Sequence, residues 1–562
     1  MLRTLTAVST AALLAGSAIA QDAAAPHKLV LQITVDQLRG DLIHRFRAGL
    51  GQGGFNYLLD NGLYFANAHH RHANNETIVG HTTLSTGTDP GIHGMVANLW
   101  FDRDSGTTFY NVQDPDYTLV GAEGIDADNE IDPTQRAATT DGRSPRNILT
   151  STIGDEIRMH YGPEAKVFGV SVKDRGAISF AGHSGQAYWF SKSEGRFVTS
   201  TFYRDDYPAW IGEWEAKGVV GSYAGTEWSL MLEPENYLFA DRDIQPWETD
   251  FPGYGITFPH PFGSADSKVY TTLLTLSPAG DEITADFAKA LMMAEEVGQD
   301  DVPDFMSVSL SSTDYVGHVF GPSSLEAEDN IKRLDATLAD FLSFVDETVG
   351  LENTLVVLSA DHGAPEAPGY LATVGIEAQD FNFDDVDTTP GLARLKEEFG
   401  LSSELIESFT NPYVYLNPEE IADAGLDAEE VEAAVARELQ ALPGIALAVS
   451  SSALRAGALP DTKISRAVRA NFHPDRSGDI YVVFEPHWFV ADFDGLTVAS
   501  AHGSPWTYDS HVPIIIAGAG VTPGVVQRRV ETVDVAATIA AKMRTNPPSG
   551  AVGIPLIEAF EP

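Results

Sequence analysis

The sequence contains no cysteine among its 562 residues. It can therefore form no disulfide, carry no lipid on cysteine and bind no metal through a thiolate. Any metal ion must be held by histidine and carboxylate side chains instead. The chain is well supplied with both, since it has 16 histidines and 80 acidic residues.

Basic residues are scarce. There are 35 Lys and Arg against 80 Asp and Glu, and the formal net charge is −45 at pH 7. A nucleic-acid partner is not expected, because no basic excess is available to neutralise a phosphate backbone. The acidity favours solubility, and some carboxylates are expected to be cation ligands. We also expect a monomer that acts on small molecules.

Long hydrophobic runs are also missing. The apolar stretch TAVSTAALLAGSAIA near the start is too short, and its side chains too small, for a membrane span. It follows the basic Arg3 and ends at Ala18-Ile19-Ala20 before Gln21, which is typical of a cleavable signal peptide over residues 1–20. No later stretch approaches twenty apolar residues. We therefore expect no membrane span and a protein that is periplasmic or secreted.

Short apolar runs that end in charged residues recur along the chain. Four of them are HKLVLQITVDQLRGD, KVFGVSVKDRG, DFMSVSLSSTDYVGH and NTLVVLSADHG. Helical stretches with apolar positions three and four residues apart lie between them, such as SSLEAEDNIKRLDATLADFLSFVDETV. Strands that alternate with helices predict an α/β fold with a mainly parallel sheet covered on both faces. Ligands bind beyond the carboxyl ends of such strands, so the charged residues should meet there.

Two stretches interrupt this pattern. Residues from about 176 to 270 are rich in aromatics, glycine and proline, and are expected to form β-hairpins and long loops. Residues from about 366 to 495 contain NPYVYLN, the helical DAEEVEAAVARELQAL and GDIYVVFEP, which predict a small α+β lobe. We expect one core domain over 27–562 with these two insertions.

Several residues that follow strands are candidate metal ligands. Asp314 and His318 are four positions apart, which lets both side chains share one helical face. Each candidate taken alone has another explanation, such as a helix cap for Asp36 or a loop hydrogen bond for the Asp361-His362 pair. Together, three carboxylates and three histidines predict a two-metal site, and their nitrogen and oxygen atoms suit zinc. The six candidates are Asp36, Asp314, His318, Asp361, His362 and His502.

A threonine-rich segment, NNETIVGHTTLSTGTDPGIHGMVANLW, offers a nucleophile. It places Thr77 at the start of a predicted helix, where backbone N–H groups and the helix dipole favour an anion such as phosphate. A threonine hydroxyl becomes a good nucleophile when a metal or a base activates it. Thr77 could equally be a helix cap, and composition does not separate it from the neighbouring hydroxyls. These neighbours are Thr82, Thr83, Ser85 and Thr86.

Seven short motifs stand in a familiar order. They are VDQLRGD, NNETIVGH, HGMVAN, SVKDRGA, STDYVGH, SADHG and AHGSPWTYDSHVP. The sequence therefore resembles the alkaline phosphatase superfamily, and most of all its phosphate-irrepressible single-chain bacterial alkaline phosphatases. The motifs run from about residue 28 to the C-terminus. The resemblance implies a three-layer α/β/α alkaline-phosphatase-like core, two zinc ions and phosphate-ester substrates.

The resemblance also implies roles for single residues. One zinc would be surrounded by Asp36, Thr77, Asp361 and His362. The other zinc, next to the leaving oxygen, would be held by Asp314, His318 and His502. The phosphate would be contacted by Asn98, Lys173 and Arg175. Thr77 would be the nucleophile, and His81, one turn further on, is expected to pack near the site without binding metal.

The two cations Lys173 and Arg175 bear on the substrate. They alternate along an extended segment, so both can face one side, although a Lys-x-Arg pair after a strand is more often a solvated turn. Cations near phosphate favour a monoester dianion over a diester. We predict an exported alkaline phosphatase that hydrolyses phosphate monoesters through a phosphothreonine. The alternative is a nucleotide phosphodiesterase or pyrophosphatase with the same two metals.

Three further possibilities are weaker. A sulfatase would need a Cys/Ser-x-Pro-x-Arg motif, which is not found around Thr77. A binding protein without catalysis would leave the metal ligands without a purpose. The acidic segment FNFDDVD (381–387) could hold a structural calcium ion, although it lacks the spacing of an EF-hand loop.

Overall fold

The computed structural model describes residues 27–124, 132, 140–384, 386–401, 404–493 and 496–560. Eleven strands of the described chain form one large sheet. In chain order they are β1 (Leu29–Val35), β2 (Leu63–His69), β3 (Leu119–Val120), β4 (Val167–Ser171), β5 (Gln186–Ser191), β6 (Arg196–Ser200), β7 (Asp304–Leu310), β8 (Thr354–Ser359), β9 (His511–Gly518), β10 (Gly524–Val526) and β11 (Val530–Glu531). The predicted signal peptide lies outside the described residues.

The sheet is mainly parallel, as predicted. Strand β1 lies between two parallel neighbours, β7 and β8. The full order is β10-β2-β9-β8-β1-β7-β4-β5-β6-β3, and β11 also pairs with β2. Strands β6 and β9 run antiparallel to the strands beside them.

Helices cover both faces of this sheet. One layer consists of α4 (Pro278–Ala294), α5 (Ser312–Phe320) and α6 (Leu325–Thr348), and the other of α1 (Thr77–Thr86), α2 (Ile153–Tyr161), α3 (Asp174–Ala181) and α7 (Asp534–Met543). Strand β1 is buried along its whole length, and its side chains pack against both helical layers. Leu31 and Ile33 pack with α6, whereas Val30 packs with α7 on the opposite face. Burial on both faces explains the continuous apolar runs, and the three-layer α/β/α prediction is confirmed.

The first irregular segment begins later than the sequence suggested. Strands β5 and β6 fall within the predicted 176–270 insertion, yet they extend the main sheet because β5 pairs with β4. The segment outside the core therefore starts after Ser200. It contains a helix Ala209–Glu215, a two-stranded sheet of Glu227–Trp228 with His260–Pro261, and a helix Tyr270–Thr275.

The second segment, about 366–495, forms the α+β lobe. Its sheet has four antiparallel strands in the order Ile406–Thr410, Tyr413–Leu416, Ile480–Phe484 and Ile445–Ser450. Helices Pro390–Phe399, Ala428–Gln440 and Lys463–Asn471 accompany it. The lobe has an apolar cluster of its own, which includes Val431, Val435 and Ile480. None of the helices described in this chain is both long and apolar enough to cross a membrane.

Candidate active site

Polar residues follow the carboxyl ends of four neighbouring strands of the main sheet. The register pairs Val35 of β1 with Leu310 of β7, so Asp36 and the start of α5 follow at the same level. Asp361 comes two residues after β8, and Lys173 two residues after β4. The carboxyl ends of these parallel strands therefore bring together residues up to 325 positions apart.

One group of candidate ligands consists of Asp36, Asp361 and His362, whose ligand atoms all lie within 4.8 Å of one another. His362 Nε2 is 3.4 Å from Asp36 Oδ1 and 3.3 Å from Asp361 Oδ2. All three side chains are fully buried. Among the described residues, no partner of Asp36 Oδ1, Asp36 Oδ2, Asp361 Oδ2 or His362 Nε2 has hydrogen-bond geometry, and the close contacts of these atoms are ion-pair contacts with one another, with Lys173 and with His81. Buried polar atoms normally have partners, so this group fits a cation.

The second group consists of Asp314, His362 and His502. His502 Nε2 is 3.4 Å from Asp314 Oδ1, and His318 Nε2 is 3.2 Å from the same oxygen. The other ring nitrogens are engaged: Nδ1 of His318 is 2.7 Å from the Ser500 carbonyl, and Nδ1 of His502 is 2.7 Å from the Asn75 carbonyl. Such backbone contacts orient an imidazole with Nε2 toward a metal.

All six predicted ligands thus meet in one place, and His362 lies between the two groups. Its ring stacks on His502 with centroids 3.6 Å apart. Burial lowers the pKa of His502 to about 3, so the ring is in the neutral form that a metal requires. Burial alone would raise the pKa of Asp36, but the Lys173 ammonium holds that carboxyl below its usual range. Carboxylates and imidazoles without thiolates form a ligand set that suits zinc.

Thr77 is the first residue of α1 and lies against this ligand set. Gly80 makes the contact possible, because a Cβ there would be 1.9 Å from the Asp361 carbonyl oxygen. His81 ties the two segments together: its Nδ1 is 2.9 Å from Asp361 Oδ2 and 2.9 Å from the Thr77 carbonyl. Its Nε2 is 2.8 Å from Ser309 Oγ. His81 therefore connects the nucleophile candidate to a candidate metal ligand.

Three of the other hydroxyls of α1 have local partners, whereas Thr82 Oγ1 is buried with no hydrogen-bond partner among the described residues. Thr86 Oγ1 and Ser85 Oγ donate to the Thr82 carbonyl, at 2.6 and 3.2 Å. Thr83 Oγ1 is 3.2 Å from a ring nitrogen of His93. Thr77, in contrast, lines a cavity together with ligand candidates of the second group.

The three predicted phosphate contacts have different surroundings. Asn98 lines the cavity, and its Oδ1 accepts from the Ile78 N–H at 3.1 Å, which leaves its amide N–H₂ as the donor. Arg175 also lines the cavity and is 3% exposed, and its Nε has no hydrogen-bond partner among the described residues. Lys173 is 2% exposed and lies between two carboxylates. Its Nζ is 2.8 Å from Asp36 Oδ2 and also contacts Asp314 Oδ2, so it links one ligand from each group.

Gln37 is a site residue that the sequence analysis did not identify. Its backbone N–H donates to Asp361 Oδ1 at 3.1 Å, and its Nε2 donates to Asp314 Oδ1 at 2.8 Å. It adopts a left-handed φ of 67°, which costs a non-glycine residue about 1 kcal/mol or more. A Cβ on Gly317 would be 1.8 Å from Gln37 Oε1, so this packing requires glycine. The only signal in the sequence was its place in VDQLRGD.

Asp509 is a second residue of this region that the sequence analysis did not identify. It is fully buried, and its Oδ2 accepts from the backbone N–H groups of Gly503 and Ser504, at 3.2 and 2.8 Å. These bonds hold the loop that carries His502. Burial raises the pKa of Asp509 to about 7.

The cavity has a volume of about 910 Å³ and reaches from Thr77 to the α+β lobe. Its catalytic end is lined by Glu76, Thr77, Asn98, Arg175, Asp314, His318 and His502. The opposite end is lined by side chains of the lobe, including the acidic segment at 381–387. In that segment Asp387 forms an ion pair with Lys396 at 2.7 Å.

Known proteins resemble this chain along most of its length. The family model for type I phosphodiesterase / nucleotide pyrophosphatase matches residues 30–505. Alkaline phosphatase PhoV of Synechococcus elongatus is 33% identical over 539 residues, which cover 94% of this chain and 92% of PhoV. Alkaline phosphatase PafA of Elizabethkingia meningoseptica is 33% identical over 536 residues, covering 95% of this chain and 94% of PafA.

The fold agrees with these sequence matches. The crystal structure of wild type PafA is similar with a TM-score of 0.87 at 32% identity, covering 96% of this chain and 100% of that one. The resemblance inferred from the seven motifs is confirmed. The chain therefore belongs to the type I phosphodiesterase / nucleotide pyrophosphatase family and is an enzyme of its alkaline phosphatase group.

Proposed function

We propose that the chain is an exported two-zinc alkaline phosphatase that hydrolyses phosphate monoesters through a phosphothreonine. The observation that carries this proposal is the buried cluster of carboxylates and imidazoles beside Thr77, at a cavity that Arg175 also lines. Such a site offers a nucleophile, cation ligands and a fixed positive charge within one cleft. Phosphoryl transfer depends mainly on positioning and charge stabilisation, and these groups can supply both.

Two sets of residues would hold the metals. Asp36, Asp361 and His362 would hold one zinc beside Thr77, and Asp314, His318 and His502 the other. When bound, the ions would supply Lewis acidity for the attacking and leaving oxygens. His81 and Gln37 would keep the carboxylates of both sets in place through the hydrogen bonds described above.

Thr77 would act as the nucleophile in a two-step reaction. Its Oγ attacks phosphorus in line with the leaving group, the bond from phosphorus to the ester oxygen breaks, and the proton given up by the Thr77 hydroxyl is balanced by the proton that the departing alcohol takes up. The Asn98 amide and the Arg175 guanidinium hold the remaining phosphate oxygens during the transfer. Water then attacks the phosphothreonine, releases phosphate and restores the hydroxyl group. Two in-line displacements leave the configuration at phosphorus unchanged.

The cations favour monoesters over diesters. Arg175 lines the cavity, and none of the described residues is a hydrogen-bond partner of its Nε, so it can take up the extra charge of a monoester dianion. A variant of PafA has also been crystallised in which a threonine, an asparagine, a lysine and an arginine are replaced. In that variant the threonine and the asparagine are 21 positions apart, and the lysine and the arginine are two positions apart. Thr77 and Asn98 have the same separation in this chain, and so do Lys173 and Arg175. The alternative is a nucleotide phosphodiesterase or pyrophosphatase, which the description of the matching family favours.

Export, a monomeric state and a structural calcium ion are further parts of the proposal. Export rests on the signal-like residues 1–20 and calcium on the acidic segment 381–387. Determining the N-terminus of the purified protein tests export, because cleavage would leave Gln21 first. Sedimentation would reveal the oligomeric state, and metal analysis after zinc-free dialysis would reveal calcium.

Replacement of the nucleophile tests the reaction. Thr77→Ala should abolish phosphate release from p-nitrophenyl phosphate while the zinc content stays near two ions per chain, whereas Thr77→Ser should keep measurable activity. Thr86→Ala is the matched control, because this buried threonine of the same helix bonds only to the Thr82 carbonyl. Full activity in Thr77→Ala would overturn the nucleophile assignment.

Substrate comparison tests the class of ester. The chain should hydrolyse p-nitrophenyl phosphate with a higher kcat/KM than bis-p-nitrophenyl phosphate. Faster hydrolysis of the diester would favour the phosphodiesterase alternative. It would also contradict the inference that Arg175 favours monoesters.

A further inference from the structure

The half of the cavity that lies away from Thr77 is formed by the α+β lobe. Its lining includes three half-buried rings, those of Phe381, Phe383 and Phe409. Phe383 and Phe409 lie face to face, with centroids 3.7 Å apart and planes within 3°. Phe381 stands at an angle to Phe383, at 5.9 Å. The rings form a continuous aromatic wall in the same cavity as the catalytic residues.

The charged lobe side chains along this half of the cavity are mostly acidic. Asp380, Asp384, Glu404 and Asp492 line it and are exposed. Lys396 lines it too, but Asp387 lies 2.7 Å from its Nζ and neutralises it. The charge at this end is therefore negative, whereas Arg175 supplies a positive charge at the catalytic end. A single cavity thus has one end at which Arg175 offers a positive charge to phosphate and another end that is aromatic and anionic.

From these two observations we infer that the lobe end of the cavity is a leaving-group subsite for an aromatic group that carries no further negative charge. The inference rests on the proposed function, since it assumes that the phosphate is bound between Thr77 and Arg175. An aromatic leaving group would then lie against the wall formed by Phe381, Phe383 and Phe409. A leaving group with its own carboxylate or second phosphate is repelled by the acidic side chains.

The size of the expected effect follows from the chemistry of each contact. Stacking on an aromatic side chain and repulsion between partly solvated like charges each change binding by a moderate factor. We expect about a 5- to 10-fold effect on kcat/KM for the aromatic wall. The charge effect should be of similar size at low salt and should shrink as salt is added.

Benzyl phosphate and ethyl phosphate test the aromatic wall, because both release a primary alcohol and only one carries a ring. The wild-type chain should prefer benzyl phosphate. Phe383→Leu and Phe409→Leu keep apolar volume in the lobe and should reduce the benzyl-to-ethyl ratio of kcat/KM about 5- to 10-fold. Phe399→Leu is the matched control: this ring packs on the same lobe cluster but is not part of the described cavity lining, so the ratio should stay unchanged.

Phenyl phosphate and 4-carboxyphenyl phosphate test the acidic side chains. The wild-type chain should prefer phenyl phosphate, and the preference should weaken in 0.5 M salt, a concentration at which the screening length is only about 4 Å. Asp384→Asn combined with Glu404→Gln should raise the relative rate for the carboxylated ester. Asp423→Asn, an exposed acidic residue of the lobe that is not part of the described cavity lining, should leave it unchanged.

The outcomes separate this inference from the proposed function. A wild-type chain that shows no preference for benzyl over ethyl phosphate, or lobe variants that reduce both esters equally, would overturn the subsite while leaving the monoesterase intact. No phosphate release from either ester by the wild-type chain would overturn the proposed monoesterase. The same ratios would then be measured with the bis-esters of the two alcohols, and a ratio unaffected by Phe383→Leu would overturn the subsite as well.

Discussion

Lys173 is the buried cation of the site, and its replacement should destabilise the metal-free protein much more than the zinc-loaded protein. Its Nζ lies 2.8 Å from Asp36 Oδ2 and also contacts Asp314, and the ammonium is fully enclosed. Lys173→Met keeps the length of the side chain and removes the charge. In the metal-free protein this leaves two buried carboxylates without their cation. In the proposed zinc-loaded protein the ions would supply positive charge to the same carboxylates.

The structure sets the expected magnitude. Removing one partner of a buried ion pair costs about 3–5 kcal/mol. With metal bound, the loss falls to about 1 kcal/mol, the value of an ordinary net hydrogen bond. Unfolding entropy of about 2.1 cal/mol/K per residue gives roughly 1.1 kcal/mol/K for a mature chain of about 540 residues. Lys173→Met should therefore lower Tm by about 3–4 °C without zinc and by about 1 °C with zinc.

Differential scanning calorimetry of chelator-treated and zinc-reconstituted protein measures both shifts. Lys332→Met is the matched control, because Lys332 is 2% exposed and pairs with Glu328 at 3.1 Å, outside the metal ligands. Its effect on Tm should be the same with and without zinc. Equal shifts for Lys173→Met in the two states would refute the assignment of Asp36 and Asp314 as ligands of bound cations.

Three further predictions concern other parts of the chain. Arg175→Ala should lower kcat/KM for p-nitrophenyl phosphate about 100-fold and for the bis-ester much less, because it removes a charge aimed at the extra phosphate charge; equal losses would contradict this. Gln37→Ala should weaken zinc affinity about 10- to 100-fold in chelator competition, since it removes the bond that orients Asp314. The pKa of Asp155 is lowered to about 2, because hydrogen bonds from His183 and its neighbours outweigh the effect of burial. The ionised carboxylate therefore stabilises the folded state, and this contribution is complete above pH 4 and is lost as the pH falls toward 2. Asp155→Asn should remove roughly 2 kcal/mol in urea unfolding at pH 7, and its difference from wild type should shrink below pH 4.

Much of the site could be predicted from local patterns. Apolar runs that end in Asp36, Asp361 or the Asp314 segment mark strands whose carboxyl ends meet in a parallel sheet, and these residues do lie together. Gln37 and Asp509 could not be predicted in this way. The partners of Gln37 are Asp314 and Asp361, 277 and 324 positions away in the chain, and no periodicity records such a contact. Nothing distinguishes the acidic Asp509 from the many acidic residues on the surface except its burial.

The fold class, the absence of thiolate ligands, the family and the types of residue available for a metal site follow from the amino-acid sequence. The folded structure was needed to show that His362 lies between both ligand groups, that Lys173 joins Asp36 to Asp314, and that the lobe shares the cavity with Thr77. It also showed that β5 and β6 belong to the main sheet. The physical reason is that apolar periodicity and charge report the preferences of a local segment. Distances between atoms of distant segments depend on how the strands and helices pack.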